Sequence, residues 1–335
     1  MSSPVDVLII GGGPAGLTAA LTLVRQQHTA ALFDSGSYRN GAAEHMHMIP
    51  TWDHKNPAEF RAKARAEIQE HYDTVEIVDV TLTSARKIND SLFEVADASG
   101  RIWRGRKVIL ATGSEDVFPD IPGYKEGWVK RIYHCLYCKG YEDRHATRSG
   151  VLAIQAASIA PMAIHLAETA AGLSSAVTIY THGATELAAQ IRSSLGEGRG
   201  AQDSNTNVFT VDSRPISCLR VIETAGTPTG IEISFADGST SLETFLVHNP
   251  FTKTKGPFAA QLGVETGPSP RPGTATGDVV ANFPMYQTSV RGVFAAGDCV
   301  TQYKAVAGAI SSGCNAAVAA SSQLLAERFG HASLV

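Results

Sequence analysis

The run Val5-Asp6-Val7-Leu8-Ile9-Ile10 is apolar but for Asp6, the pattern of a strand covered on both faces. Ala15 to Gln26 follows as an Ala/Leu-rich helix and Ala30 to Asp34 as a second short strand, which predicts a βαβ unit. Pro57 to Tyr72 interleaves charged residues with Ala, Phe60 and Ile68, as a surface helix does. Alternation over Val75–Val80, Ser84–Asn89, Leu92–Ala96 and Arg101–Arg104 predicts a small β-meander. Lys107 to Leu110 is a further strand running into the tight loop Ala111-Thr112-Gly113.

Phe118-Pro119-Asp120-Ile121-Pro122-Gly123 is Pro/Gly punctuation and predicts a crossing into a second domain. There Gly150–Gln155 reads as the first strand, Pro161–Ala171 as a helix and Ala176–Tyr180 as the second strand. The chain is expected to cross back around His248 to Thr254. Gly292 to Asp298 then forms a strand with a Gly-Asp end, Ala305 to Phe329 an Ala-rich closing helix, and Gly267 to Gly277 a surface loop. The expected fold class is α/β with two nucleotide-binding, Rossmann-like, three-layer domains. Residues 1–118 and 248–335 make one discontinuous domain, and 119–247 a domain inserted into it.

Composition narrows the function classes. The 335 residues suit about two domains at roughly 150 each. With 44% apolar and 18% charged residues the chain is neither disordered nor a stapled miniprotein. A formal charge of −4 offers no basic field for nucleic acid. No stretch approaches the ~18 apolar residues of a membrane span, so neither nucleic acid nor membrane is expected as a partner. Five cysteines, with Cys135 and Cys138 the one close pair, suggest redox or metal chemistry in a reducing compartment. Since the apolar N-terminal run lacks a basic n-region and reads as a strand, the expected location is cytoplasmic.

Gly11, Gly13 and Gly16 form G-x-G-x-x-G straight after a strand and at a helix start, with Asp34 ending the next strand. Gly11 permits the turn, Gly13 lets the backbone approach a pyrophosphate, Gly16 lets helix and strand pack, and Asp34 can accept from a ribose diol. The helix N-terminus adds partial positive charge. This motif serves FAD and NAD alike, since both carry adenosine diphosphate.

Cys135-Leu136-Tyr137-Cys138 brings two thiols within disulfide reach across a tight turn. Half of a zinc site is the competing reading, but Cys218, Cys299 and Cys314 supply no second C-x₂₋₄-C, so no metal is expected.

Gly11-Gly12-Gly13-Pro14-Ala15-Gly16, Asp34, Ala111-Thr112-Gly113, Cys135-x-x-Cys138 and Gly297-Asp298, in this order, resemble the low-molecular-weight thioredoxin reductase family over essentially the whole chain. The resemblance implies FAD as cofactor in the discontinuous domain. It implies contacts from Gly11, Gly13, Pro14, Ala15, Gly16, Asp34, Arg39, Asn40, Ala111, Thr112 and Gly113, with Gly297, Asp298, Ala305 and Val306 toward the flavin. It further implies Cys138 as the flavin-facing sulfur, Cys135 as the exchanging one, and a homodimer.

A nicotinamide site needs a second Gly-rich turn after the first strand of the inserted domain. The sequence there is Gln155-Ala156-Ala157-Ser158-Ile159-Ala160, and Thr181-His182-Gly183 lacks the arginines that a 2′-phosphate wants. NADPH is therefore not expected to bind well, and electrons should enter from a dithiol. Phe33-Asp34-Ser35-Gly36 with Tyr38-Arg39-Asn40, the run Cys135 to Glu142, and Gly256-Pro257-Phe258-Ala259 followed by Gln261-Leu262-Gly263 are similar to the dithiol oxidases of gliotoxin-type and holomycin-type natural products. This branch implies oxidation of a small dithiol to an intramolecular disulfide, with O2 reduced to H2O2.

His134, His45 and His47 are candidate proton acceptors because imidazole titrates near neutrality, and Glu142 is a further candidate. Lys139 departs from the Asp that follows the cysteines in the reductases. Two rival readings stand beside the oxidase: a reductase drawing on NADPH or ferredoxin, and a flavin-bound thiol sensor.

Overall fold

The computed structural model describes residues 3–197, 208–267, 275–301 and 303–335. The described residues form two compact units, one of residues 3–115, 252–267, 275–301 and 303–335, the other of 116–197 and 208–251. The crossings thus fall at 115/116 and 251/252, where the sequence suggested 118/119 and 247/248.

In the first unit β1 (Val5–Ile10), α1 (Pro14–Arg25) and β2 (Ala30–Asp34) form a parallel βαβ, followed by α2 (Pro57–His71) and β3 (Val75–Asp79). Strand β3 lies parallel beside β2, so it extends the main sheet and does not belong to the expected meander. The meander proper is β4 (Leu82–Asn89) and β5 (Leu92–Asp97) paired antiparallel to β6 (Ile102–Leu110). The two strands expected at Arg101–Arg104 and Lys107–Leu110 are a single strand. Gly105 lies at their junction, where a Cβ would meet Leu8 Cγ at 2.6 Å, so the missing side chain reads as a break although it serves close strand packing.

Strand β6 runs parallel to β1 on one side and to Val293–Ala295 on the other. Both faces of this sheet are covered. Val7, Ile9 and Leu32 pack with α1 and the closing helix Val306–Phe329, while Leu8, Ile10 and Phe33 pack with the meander and with Phe258, Leu262 and Val264. The closing helix is rich in small residues because it approaches α1 closely: a Cβ on Gly313 would stand 2.2 Å from the Ala15 carbonyl oxygen.

The second unit has a five-stranded parallel sheet in the order Phe209–Asp212, Val177–Tyr180, Ser149–Leu152, Leu246–Val247, Ile132–Tyr133. Helix Ala160–Ala171 and Leu187 and Ile191 of helix Thr185–Glu197 cover one face. The antiparallel strands Ile216–Thr224, Thr227–Phe235 and Thr240–Glu243 pack over the other through Ile216, Leu219, Ile231 and Ile233. Of the loop expected at Gly267–Gly277, residues 268–274 lie outside the described residues. Among the described residues no helix is long and apolar enough to cross a membrane.

Candidate flavin and dithiol sites

The first glycine-rich turn is built as its spacing requires. Gly11 has φ +121°, and a Cβ there would lie 2.2 Å from the Ala111 carbonyl oxygen; a Cβ on Gly16 would lie 1.9 Å from the Gly11 oxygen. Gly13 differs, because a Cβ built on it meets nothing within 4 Å. Gly13 is the N-cap of α1 and no side chain caps that helix end, with Pro14 in its first turn. An open backbone approach at an uncapped helix N-terminus fits a pyrophosphate.

Asp34 is buried at the end of β2. Its Oδ1 accepts from the Gly36 N–H at 2.9 Å, and its Oδ2 from the Tyr38 hydroxyl at 2.6 Å and Arg65 Nη1 at 3.0 Å. A carboxylate offers about four acceptor positions, so one is left for a ribose hydroxyl. Burial and Asp34 together push the Tyr38 phenol up to about 12, which keeps it a donor.

Arg39 Nη1 lies 3.6 Å from Asp298 Oδ2, and Asn40 Oδ1 accepts from Arg61 Nη1 at 3.1 Å. The Arg61 guanidinium also stacks 3.8 Å from the centre of the Tyr38 ring. Arg61 and Arg65 were read only as part of a surface helix. Their four-residue spacing, which puts both on one face of α2, was the available signal.

Gly297 opens the Gly-Asp turn with φ +77°, and its N–H donates to Ser312 Oγ at 2.9 Å. Ser114 Oγ donates to the Asp298 carbonyl at 2.7 Å, as does Lys304 Nζ at 2.5 Å. Lys304 also reaches the Thr301 carbonyl at 3.1 Å and Asp278 Oδ1 at 3.5 Å. Its side chain is largely hidden, whereas from sequence a lysine just before a helix reads as solvated. Ala305 is the N-cap of the closing helix and Val306 its first residue. Cys299 is buried, its thiol pushed up to about 11 by burial, and so inert.

In the second unit Cys135 and Cys138 form a disulfide with Cα atoms 5.2 Å apart. Cys138 N–H points at Cys135 Sγ, 3.1 Å away, and Lys139 N–H closes the turn on the Cys135 carbonyl at 3.0 Å. Both cysteines are half-buried, and between them Leu136 is buried and Tyr137 exposed. His134 stacks on Trp128, ring centres 5.7 Å apart, and Trp128 stacks on Tyr124 at 5.8 Å. Lys139 places its ammonium 5.7 Å from the Tyr133 ring centre. Glu142 is exposed and accepts from the Gly140 N–H at 3.4 Å. His45 and His47 lie on the first unit, His45 exposed and His47 with Nδ1 3.3 Å from Asp53 Oδ1.

Where a nicotinamide site would have its glycine turn, Gln155–Ala157 is a 3₁₀ turn with Ala156 and Ala157 buried. Gln155 is tied down from both ends of its amide, donating to the Val117 carbonyl at 3.1 Å and accepting from the Phe251 N–H at 3.2 Å. Where arginines would face a 2′-phosphate, His182 Nδ1 accepts from the Ile216 N–H at 2.8 Å.

These two units, each with parallel strands at the centre of a sheet packed on both faces, with a flavin-type cradle in one and a redox disulfide in the other, define a flavoprotein oxidoreductase with a redox-active disulfide. The chain belongs to the pyridine nucleotide-disulphide oxidoreductase family, whose model matches residues 5–196, and within it to the thioredoxin-reductase-like flavoproteins that use FAD. It is 45% identical to thioredoxin reductase tcpT of Claviceps purpurea (strain 20.1) over 99% of this chain and 98% of that protein. It is 44% identical to thioredoxin reductase aclD of Aspergillus oryzae over 97% and 98%. Among solved structures it is similar to an oxidoreductase from Agrobacterium tumefaciens, with 32% identity, TM-score 0.81 and coverage of 96% and 99%. It is also similar to a structure named HlmI, with 27% identity, TM-score 0.81 and coverage of 98% and 95%.

Proposed function

We propose that this enzyme is an FAD-dependent dithiol oxidase, which converts a small dithiol to its intramolecular disulfide and passes the two electrons to O2, giving H2O2. The observation that carries the reading is the turn Gln155–Ala157, where two buried methyl groups and a clasped glutamine stand in place of the glycines a pyridine coenzyme needs. Electrons then enter through sulfur.

A substrate thiolate attacks Cys135 Sγ, the S–S bond to Cys138 breaks, and Cys138 leaves as thiolate. The second substrate thiol, deprotonated, attacks the substrate sulfur of the mixed disulfide. This closes the product and releases Cys135 as thiolate, which the Cys138 N–H stabilises. The two cysteines are now reduced, and two protons have left the substrate. His134 is the favoured proton acceptor because it precedes Cys135 and its ring is held against Trp128.

Bound FAD would supply the two-electron acceptor that lets Cys135 and Cys138 re-form their disulfide. Gly11, Gly13, Gly16, Asp34, Arg39 and Asp298 would hold it. The enzyme acts as a homodimer, on this reading, and in the cytoplasm.

The relatives' names, thioredoxin reductase, favour the opposite direction, with a nicotinamide donor reducing a disulfide. Oxygen-electrode assays with small dithiols separate the two: the oxidase consumes one O2 and forms one H2O2 per disulfide closed, with no NADPH present. No oxygen uptake with any dithiol, alongside NADPH-driven reduction of disulfides, would replace this reading with the reductase.

A further inference from the structure

His47, Asp53 and His54 come together within one short loop of the first unit, each offering a ligand atom within 4.8 Å of the others. The loop is closed at its base by an antiparallel bridge between Met46 and Lys55. Met46 N–H donates to the Lys55 carbonyl at 2.8 Å, and His54 N–H to the Met46 carbonyl at 3.0 Å. Met46 and Ile49 are buried and anchor it. The three residues are therefore brought together within one closed loop.

We propose that this loop is a binding site for a divalent first-row transition metal ion, held by His47 Nδ1, one carboxylate oxygen of Asp53 and His54 Nε2. Asp53 Oδ1 is 3.3 Å from His47 Nδ1, and Asp53 Oδ2 is 3.3 Å from His54 Nε2. Both contacts are long for bonds between a carboxylate and a charged imidazole, which run about 2.7–2.9 Å. The two contacts use different carboxylate oxygens, and one Asp53 oxygen and the two ring nitrogens lie within 4.8 Å of one another, a triangle that closes toward the roughly 3.3–3.4 Å edge of a tetrahedron when an ion with bonds of about 2.0–2.1 Å is bound. The rings stand edge-on with centres 4.6 Å apart and do not stack.

Two imidazoles and one carboxylate suit zinc, copper, nickel, cobalt or ferrous iron, and not calcium or magnesium, which take oxygen ligands. Asp53 and His54 are more than half exposed, His47 only 12%, so an ion has a route in and keeps an open position for water. A second, hydrogen-bonded role is visible for Asp53, whose Oδ1 accepts from the Met48 N–H at 3.1 Å and is thereby oriented. The sequence reading expected no metal because it weighed only cysteine spacing. The histidines are separated by six positions that the loop folds back on themselves.

The test is calorimetric titration of the FAD-loaded protein with Zn²⁺, after dialysis against a chelator and with the Cys135–Cys138 disulfide left oxidised. The expected result is one ion per chain, with affinity reduced at least ~10-fold by His54→Gln and by Asp53→Asn and unchanged by the double variant Cys135→Ser/Cys138→Ser. Absence of binding to the native protein, unchanged affinity in both loop variants, or loss in the cysteine double variant would overturn the site. If a loop variant fails to retain FAD, Cu²⁺ bound to the native protein decides by electron paramagnetic resonance. Hyperfine splitting from two imidazole nitrogens supports the site, and an all-oxygen spectrum refutes it.

Discussion

Arg39 and Asp298, from opposite ends of the chain, bring a guanidinium nitrogen and a carboxylate oxygen to 3.6 Å of each other. Both side chains are largely hidden, 14% and 18% exposed, and Asp298 is further fixed through its carbonyl by Ser114 and Lys304. Either partner alone would leave a half-buried charge. Asp298→Ala and Arg39→Ala should therefore each yield protein with less bound flavin, read as a lower ratio of absorbance at the flavin band to that at the protein band. Unchanged flavin content in both would remove the pair from the cofactor site.

The glycines of the first turn should separate into two classes. Gly11→Ala forces a side chain into φ +121° and onto the Ala111 carbonyl, so it should cost at least about 1–3 kcal/mol of stability. The Cβ of Gly13→Val meets no protein atom within 4 Å, so this variant should leave the apoprotein melting temperature close to the native value while abolishing FAD binding. Thermal melts and flavin content on both variants check this, and a stability loss in Gly13→Val would contradict it.

The parallel sheet and the first turn were legible because Val5–Ile10 and Ala30–Asp34 are buried on both faces and their apolar runs are uninterrupted by structure-breaking residues. Strand β6 was split at Gly105 because a glycine reads as a break, whereas here it admits Leu8. Strand β3 was joined to the meander because alternation reports a strand and not its neighbour. In the candidate site, the motif glycines and the cysteines could be found by local spacing. Lys304 and the clasp on Gln155 could not, since they act through contacts between segments far apart in sequence, and the spacing of Arg61 and Arg65 gives their shared helix face but not their partners Asn40 and Asp34.

The two cysteines should differ in reactivity. The Cys138 N–H that points at Cys135 Sγ stabilises a thiolate on Cys135. Cys135, isolated by Cys138→Ser, should react with an aromatic disulfide reagent at lower pH than Cys138 isolated by Cys135→Ser. The reaction is an exchange that releases one aromatic thiolate per cysteine, so the rate is read directly from its colour across a pH series. Equal pH profiles would remove the assigned roles.

His248 is fully buried, its Nδ1 2.6 Å from the Tyr124 hydroxyl, and burial pushes its imidazole down to about 3. The unfolded chain takes up this proton near 6.5, so the unfolded state binds more protons between these values and stability falls as pH drops below about 6.5. Above that pH this contribution is complete. Between pH 6.5 and 5 the loss should be about 1–2 kcal/mol, and His248→Asn should flatten that part of the profile. Denaturant melts at the two pH values measure it, and an identical slope in the variant would contradict it.

The direction of electron flow is tested most directly by anaerobic stopped-flow mixing of the yellow, oxidised enzyme with NADPH and, separately, with a reduced small dithiol. The account predicts rapid bleaching of the flavin by the dithiol and none by NADPH. Rapid bleaching by NADPH, through a coenzyme seated at Gln155–Ala160, would contradict it.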